Sequence, residues 1–436
     1  MNVLWLVKRT SKRNFKKGII YAIMLLITLI ISFIFFDMID NPFLGGNDQV
    51  ISNNINGEII LPISKILPFI VIILSWIMIF YASNYFLNSQ IEPFTLLLLS
   101  GGNMIEVAKY VLYQITVIFI IVIPLSLILG TYILKKIYTI MFLYLNIDGI
   151  YTVPVKTYIN LLISLIPILI SIYIGVAGFS HRNTLQVLLG RIESNKNVKI
   201  KNKDKGWIFY IILYISSMAI ILYQDHGPTA YVFPSAIGFV SIYGLLKRTI
   251  PKMIQNWKRK KGVEKEKLYI SLSNYVISLQ GTFIFSMLIL MLACFLIPIL
   301  ISQDKLSKEF FIGIVSYLVI TLLLVIAIVY KFIDHITMRK KEFVCLNLVG
   351  YIKSKIKIIM RYEVICYYLT IILLPLPLVL LIGSRYIMNQ ELTIINLIIF
   401  LLIYMIPIIL SMCITYFVYL KTIITKEGKM QWENFY

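Results

Sequence analysis

Long apolar runs separated by short polar segments make up most of this chain. Eight runs of roughly 20 residues carry almost no charge, at about 19–36, 66–87, 111–134, 157–179, 274–301, 310–333, 364–382 and 392–419. Because a backbone in hydrocarbon must satisfy its own hydrogen bonds, such runs predict transmembrane α-helices. Two shorter runs, 207–223 and 232–246, predict either two further spans or one re-entrant hairpin. We therefore expect an all-α polytopic membrane protein with about ten transmembrane helices.

The composition excludes a soluble globular enzyme. Of the 436 residues, 59% are hydrophobic and 14% are charged, against roughly 45–50% and 25% in soluble domains. The polar segments are too short for a nucleotide-binding domain, and the sequence contains no GxxxxGK[ST] phosphate-binding motif. Its three histidines are scattered and no paired-cysteine metal motif occurs. We expect a non-enzymatic chain that binds no cofactor or metal of its own.

The formal charge of +21 is distributed asymmetrically about the predicted spans. With the N-terminus inside, 34 Lys and Arg residues fall on the inner side and 7 on the outer side, whereas acidic residues divide 11 to 9. This bias follows the positive-inside rule and predicts that both termini are cytoplasmic. The basic stretches at 196–205 and 258–261 either set topology or bind anionic lipid headgroups. Nucleic acid is not expected, because no separate domain carries the basic residues.

The N-terminal segment carries six basic residues within 1–18. It is expected to be either a short interfacial helix or a simple positive flank of the first span. A cleaved signal peptide is not expected, because the run 19–36 exceeds a typical signal core and no small-x-small site follows it.

A pattern of apolar residues ending in glycine occurs twice, in two segments that each join the second and third spans of a four-helix group. The two copies align at an offset of 249 residues, which pairs Gly101 with Gly350 and Phe94 with Phe343. Each copy predicts a short amphipathic helix stopped by a glycine that can adopt the left-handed conformation. In the second copy, Phe343, Leu346 and Val349 are expected to share one face.

The second copy resembles the FtsX-like permease family, the membrane subunits of MacB-type (type VII) ABC transporters. That family has a basic residue, a Glu, apolar residues with a Leu, a Gly eight residues after the Glu, and a further Glu about thirteen residues later. Glu342, Leu346, Gly350 and Glu363 match at these spacings. The first copy departs from the pattern, because Glu92 lies one position early and Gln114 replaces the final Glu.

The resemblance implies that the glycine-ended helix is a coupling helix that docks on a cytoplasmic ABC ATPase, expected as a dimer, which binds the ATP and Mg. The residues then expected at the ATPase-coupling sites are Glu342, Phe343, Leu346, Gly350, Glu363, Glu92, Phe94, Leu97 and Gly101. The plan of four, two and four helices divides the chain at 1–180, 181–265 and 266–436 and resembles ten-helix BceB-type permeases. Their large extracellular domain is replaced here by the short segment 302–309.

The function that the resemblance implies is ATP-driven export, expulsion or mechanotransmission acting on amphipathic peptides, such as an antimicrobial peptide or bacteriocin, or on lipid-like substrates. A regulatory transmitter that transports nothing and a secondary transporter are the alternatives. The richness in Ile, Lys and Asn is typical of an AT-rich coding sequence and favours a Gram-positive bacterium.

Overall fold

The structure is a computed structural model and is built from helices. It describes residues 3–40, 63–89, 104–145, 151–188, 207–223, 231–261, 265–301, 308–390 and 392–430. Every regular element in these ranges is helical, which confirms the all-α prediction. Among the described residues, seven helical segments are long and apolar enough to cross a membrane, so the chain is a multi-pass membrane protein.

The helices follow one another in three groups along the chain. The first group is α1 (Val3–Asp40), α2 (Ile63–Ser89), α3 (Met104–Leu145) and α4 (Val155–Leu188). The second is α5 (Trp207–Tyr223), α6 (Val232–Gly244), a π-helical turn (Leu245–Thr249) and α7 (Ile250–Lys261). The third is α8 (Glu266–Gly281), α9 (Phe283–Ile301), α10 (Lys308–Met338), α11 (Lys340–Leu348), α12 (Lys353–Leu373), α13 (Leu376–Met388) and α14 (Ile394–Met430).

The apolar runs locate these helices, but several helices extend beyond them. The 42-residue helix α3 continues through Lys135 and Lys136, where a loop was expected. Lysine is a good helix former, so hydropathy marks the expected hydrocarbon layer and not the helix end. Helix α1 likewise runs unbroken from Val3 to Asp40, and Asp37, expected in a loop, is a fully buried residue of its last turns.

The predicted span 274–301 is not one straight helix. Helices α8 and α9 meet at an angle of 76°. Thr282 joins them with non-helical φ and ψ of −104° and 9°, and follows Gly281, a weak helix former. The Thr282 hydroxyl donates to the Ser278 carbonyl at 2.9 Å, a side-chain bond of the kind that bends helices. With this bent pair, up to eight spans meet the length and composition criteria, and the count of ten stays a prediction.

The chain divides into two compact units. The first comprises Met1–Ile200 and Asp304–Val319, and the second comprises Lys201–Gln303 and Ile320–Tyr436. In the first unit, α1 packs against α2, α3 and α4. Hydroxyl pairs join α1 to α2, with Tyr21 and Ser83 2.8 Å apart and Ser32 and Ser75 2.5 Å apart. Such short polar contacts are typical of helix pairs in a membrane.

In the second unit, α12 packs against α8 and α14, and the pair α5 and α6 packs with α9 and α13. Pro375 separates α12 from α13 because it has no N–H to donate to the carbonyl of Ile371. The Tyr404 hydroxyl of α14 donates to that carbonyl instead, at 2.9 Å. The carbonyl that Pro375 leaves without a backbone donor is therefore hydrogen-bonded, and this bond holds α14 against α12.

Candidate functional site

The short helix α11 begins where α10 ends. Arg339 lies between the two helices, with φ −88° and ψ 3°, and its carbonyl accepts the backbone N–H groups of Glu342 at 3.0 Å and Phe343 at 3.4 Å. Glu342 lies in the first turn of α11. A carboxylate there is favourable because the helix dipole presents partial positive charge at the N-terminus.

The C-terminus of α11 is closed by a Schellman motif. The Tyr351 N–H donates to the Leu346 carbonyl at 3.1 Å, and the Gly350 N–H donates to the Asn347 carbonyl at 3.0 Å. Gly350 has φ +101°, in the region that favours glycine. A Cβ added at Gly350 would meet nothing within 4 Å. Glycine is therefore needed for its backbone conformation and not for space.

A buried carboxylate lies behind α11 and connects three other helices. Glu363 of α12 has no exposed surface. It accepts hydrogen bonds from Ser278 of α8 at 2.6 Å and from Tyr419 of α14 at 2.7 Å. Its remaining partner is the Arg339 guanidinium, at 3.0 Å. These three donors lower the free-energy cost of burying the charge, because each hydrogen bond replaces one to water that the carboxylate has lost.

Arg339 completes the connection to α11. Its Nη1 contacts Glu363, and its Nε donates to Glu342 at 3.1 Å. Burial disfavours the charged form of the guanidinium, but the negative charge of Glu363 and the hydrogen bond to Glu342 outweigh it, so the pKa of Arg339 is raised. The guanidinium also lies 5.7 Å from the ring centre of Phe343. We call Arg339, Glu363, Ser278 and Tyr419 the charged latch.

An aromatic layer packs beside the charged latch. The ring of Phe343 meets that of Tyr419 edge-on, with centres 5.7 Å apart and planes at 88°. Tyr419 in turn contacts Phe332 of α10 at 6.1 Å. Phe343 is 1% exposed. The inner side of α11 thus packs on α14 through its ring, and α14 packs on α10 in the same way.

The far end of α11 is exposed and apolar. Leu348 is 79% exposed, Val349 78% and Ile352 65%. These three residues, which we call the apolar tip, flank the glycine turn. The N-terminal end of α11 is anchored by the buried residues Arg339 and Phe343, so the apolar tip is an exposed surface at the end of a fixed helix.

The structure separates the sequence-predicted site residues of the second copy into two sets. Phe343 and Glu363 are buried, Leu346 is half-buried, and Glu342 and Gly350 are exposed. Phe343 and Val349 do not share the expected face, because two steps of three residues leave them about 120° apart around a helix with 3.6 residues per turn. Phe343 therefore points to the interior and Val349 to the outside.

Two members of the charged latch were not anticipated. Ser278 and Tyr419 lie in apolar stretches, where single hydroxyl residues are common. The signal that could have found them was Glu363 itself, because a carboxylate next to an apolar span needs several donors on neighbouring helices.

The first copy is described only in part. Glu92, Phe94, Leu97 and Gly101 lie outside the described residues. Gln114 of α3 is 8% exposed, and its Nε2 donates to the Tyr110 hydroxyl at 2.9 Å within the same helix. Its Oε1 has no hydrogen-bond partner among the described residues.

A comparison with models of known protein families found none that matches this chain, and a comparison with curated proteins found no matching relative.

Proposed function

We propose that this chain is the permease subunit of an ABC transporter of the FtsX-like kind. In this proposal a separate cytoplasmic ATPase, most simply a dimer, binds ATP and Mg and docks on the apolar tip of α11. The membrane helices then transmit its movement to amphipathic peptides or lipid-like substrates. Both termini face the cytoplasm of a Gram-positive bacterium.

The observation that carries the proposal is the charged latch. A coupling helix must present an accessible end to its partner and must pass force to the membrane helices without bending at its base. Leu348 and Val349 supply the first property. The contacts of Arg339 and Glu363 with α8, α11 and α14 supply the second. Removing one member of a buried ion pair costs about 3–5 kcal/mol, so the base of α11 resists displacement.

In this proposal the exposed and the buried residues around α11 have different roles. Leu348, Val349 and Ile352 make the direct contact with the ATPase, and Gly350 sets the turn that exposes them. Phe343 and Glu363 are positioning residues, since their side chains are buried. Glu342 links the two sets through Arg339.

Co-purification tests the docking step. A tagged chain is expected to retain an ATPase with a Walker motif, encoded by a neighbouring reading frame. Leu348→Asp should abolish the retention, because it places charge in the apolar contact. Ser354→Asp, also at an exposed position, adds the same charge outside the tip and should retain the ATPase. Ion-gradient-driven uptake by the pure chain alone would contradict the proposal and favour a secondary transporter.

ATPase activity of the reconstituted complex then separates transport from signalling. Stimulation by an amphipathic peptide or lipid-like substrate, together with movement of that substrate, supports transport. Regulation of a membrane partner without substrate movement would support the transmitter alternative in its place.

A further inference from the structure

A groove in the second unit lies between α7, α8 and the turn that follows α11. Gln255, Lys258 and Arg259 line one side, at helical spacings i, i+3 and i+4. Glu266 and Tyr269 of α8 and Tyr351 of the turn after α11 complete the lining. The groove has a volume of about 690 Å³, which lies within the range of about 300–1,000 Å³ of small-molecule sites.

The charge of this groove is positive and incompletely neutralised. Lys258 and Arg259 contribute two cations, whereas Glu266 is the one carboxylate in the lining. The Glu266 carboxylate accepts the Tyr351 hydroxyl at 3.3 Å. Among the described residues, no carboxylate forms an ion pair with Lys258 or Arg259. An anion in the groove would supply the missing negative charge.

Lys258 is held in place at the wall of the groove. Its ammonium donates to the Ser273 hydroxyl and lies 4.9 Å from the ring centre of Tyr269. Partial burial lowers the pKa of Lys258. A cation that is oriented, partly desolvated and without an anionic partner among the described residues is the kind of group that binds a phosphate oxygen.

The position of the groove along the chain favours a lipid. Helix α8 leads from the groove into α9, and together they form the bent pair that is apolar enough to cross a membrane. Helix α7 leaves the apolar helix α6 through the π-helical turn. The α8 wall therefore adjoins a candidate membrane span and the α7 wall follows an apolar helix, on the side that the basic residues predict to be cytoplasmic, where inner-leaflet headgroups lie.

We propose that this groove binds the phosphate headgroup of an anionic phospholipid of the inner leaflet, through Lys258 and Arg259. Tyr351 belongs to both the groove and the Schellman turn of α11, so the bound headgroup contacts the turn that carries the apolar tip. The inference rests on the membrane location of the helices and does not require the ATPase.

Quenching of Trp257 tests the site directly, because this residue neighbours Lys258 on α7. In a variant with the other four tryptophans changed to Phe, phosphatidylglycerol with brominated acyl chains is titrated against brominated phosphatidylcholine in detergent micelles. Phosphatidylglycerol should quench at lower mole fraction, by about fivefold for each cation that contacts the headgroup. Equal quenching by the two lipids would overturn the proposal.

Three variants and one soluble competitor identify the groove as the source of the preference. Lys258→Gln and, separately, the exposed Arg259→Gln should each reduce it by about fivefold. Lys260→Gln, on the same helix but not in the lining, should leave it unchanged. A preference that survives both groove substitutions would contradict the site, and displacement by soluble glycerol phosphate at equal concentration would show recognition of a free phosphate ester in place of a lipid.

Native mass spectrometry of the unmodified chain provides a measurement that needs no tryptophan substitution. The protein released from mixed micelles should retain phosphatidylglycerol over phosphatidylcholine, and Lys258→Gln should lose that retention. Loss with Lys260→Gln as well would show a general charge effect and overturn the assignment.

Discussion

The two copies of the repeated motif differ most at one pair of positions. An offset of 249 residues places Gln114 on Glu363 and Gln90 on Arg339, so the ion pair of the second copy corresponds to two amides in the first. Gln90 lies outside the described residues. Glu363 joins α12 to Arg339, α8 and α14, whereas Gln114 forms one hydrogen bond among the described residues, and that bond stays within α3.

The second copy is the one whose contacts hold its helices in one arrangement. A buried charge must keep its partners, because separation leaves it uncompensated. A buried amide loses much less when its neighbours move. We therefore expect force to pass through the second copy, and we expect the helices around Gln114 in the first copy to shift at a lower cost in free energy.

The largest expected effect comes from removing the charge of the second copy. Glu363→Leu leaves Arg339 buried without its main anion and should lower the free energy of unfolding by about 3–5 kcal/mol. Thermal unfolding of the purified protein in detergent measures this loss. A melting temperature within a degree of the unchanged protein would show that the charged latch does not stabilise the second unit.

A smaller effect is expected from the hydroxyl of Tyr419. Tyr419→Phe removes the 2.7 Å hydrogen bond to Glu363 and keeps the ring against Phe343. Hydrogen bonds to charged groups contribute about 1.5–3 kcal/mol, and the same melting experiment should show a loss in that range. Tyr416→Phe, at a half-buried position on the same helix, is the control and should have little effect. Equal losses from the two variants would assign the effect to general packing.

Gly350→Val tests the turn of α11. A β-branched residue at φ +101° should cost about 1–2 kcal/mol, because the left-handed region is strained for L side chains. Gly350→Asn should cost less, since asparagine tolerates that region better. ATPase stimulation in the complex should fall more with Val than with Asn, while membrane insertion stays intact. Unchanged stimulation with Val would count against a role for the turn in coupling.

The smallest effect is expected at the matching position of the first copy. Gln114→Leu replaces a buried amide, whose Oε1 has no hydrogen-bond partner among the described residues, with an apolar side chain of similar size. The unfolding free energy should change by no more than about 1 kcal/mol. A loss as large as that of Glu363→Leu would remove the contrast between the copies.

Sequence reasoning located most helices of this fold because hydropathy reports directly on the expected hydrocarbon layer. The bend at Thr282 was missed, since its cause is a local glycine and hydroxyl inside an uninterrupted apolar run. Gly350 was found through the repeat that ends in glycine, and Glu363 through the resemblance to the motif of the FtsX-like family. The roles of Ser278 and Tyr419 could not be predicted, because they depend on which helices pack around Glu363.

A double-mutant cycle on Arg339→Gln and Glu363→Gln measures whether the buried ion pair of the second copy couples α11 to the membrane helices. It converts the charged pair of the second copy into the amides of the first, and it measures whether the two residues act together. We predict that the double variant loses less unfolding free energy than the two single losses added together, by more than about 1 kcal/mol. All three variants should lose ATPase stimulation. If the single losses of unfolding free energy add up to the double loss within about 0.5 kcal/mol and ATPase stimulation is retained, the ion pair does not couple α11 to the membrane helices.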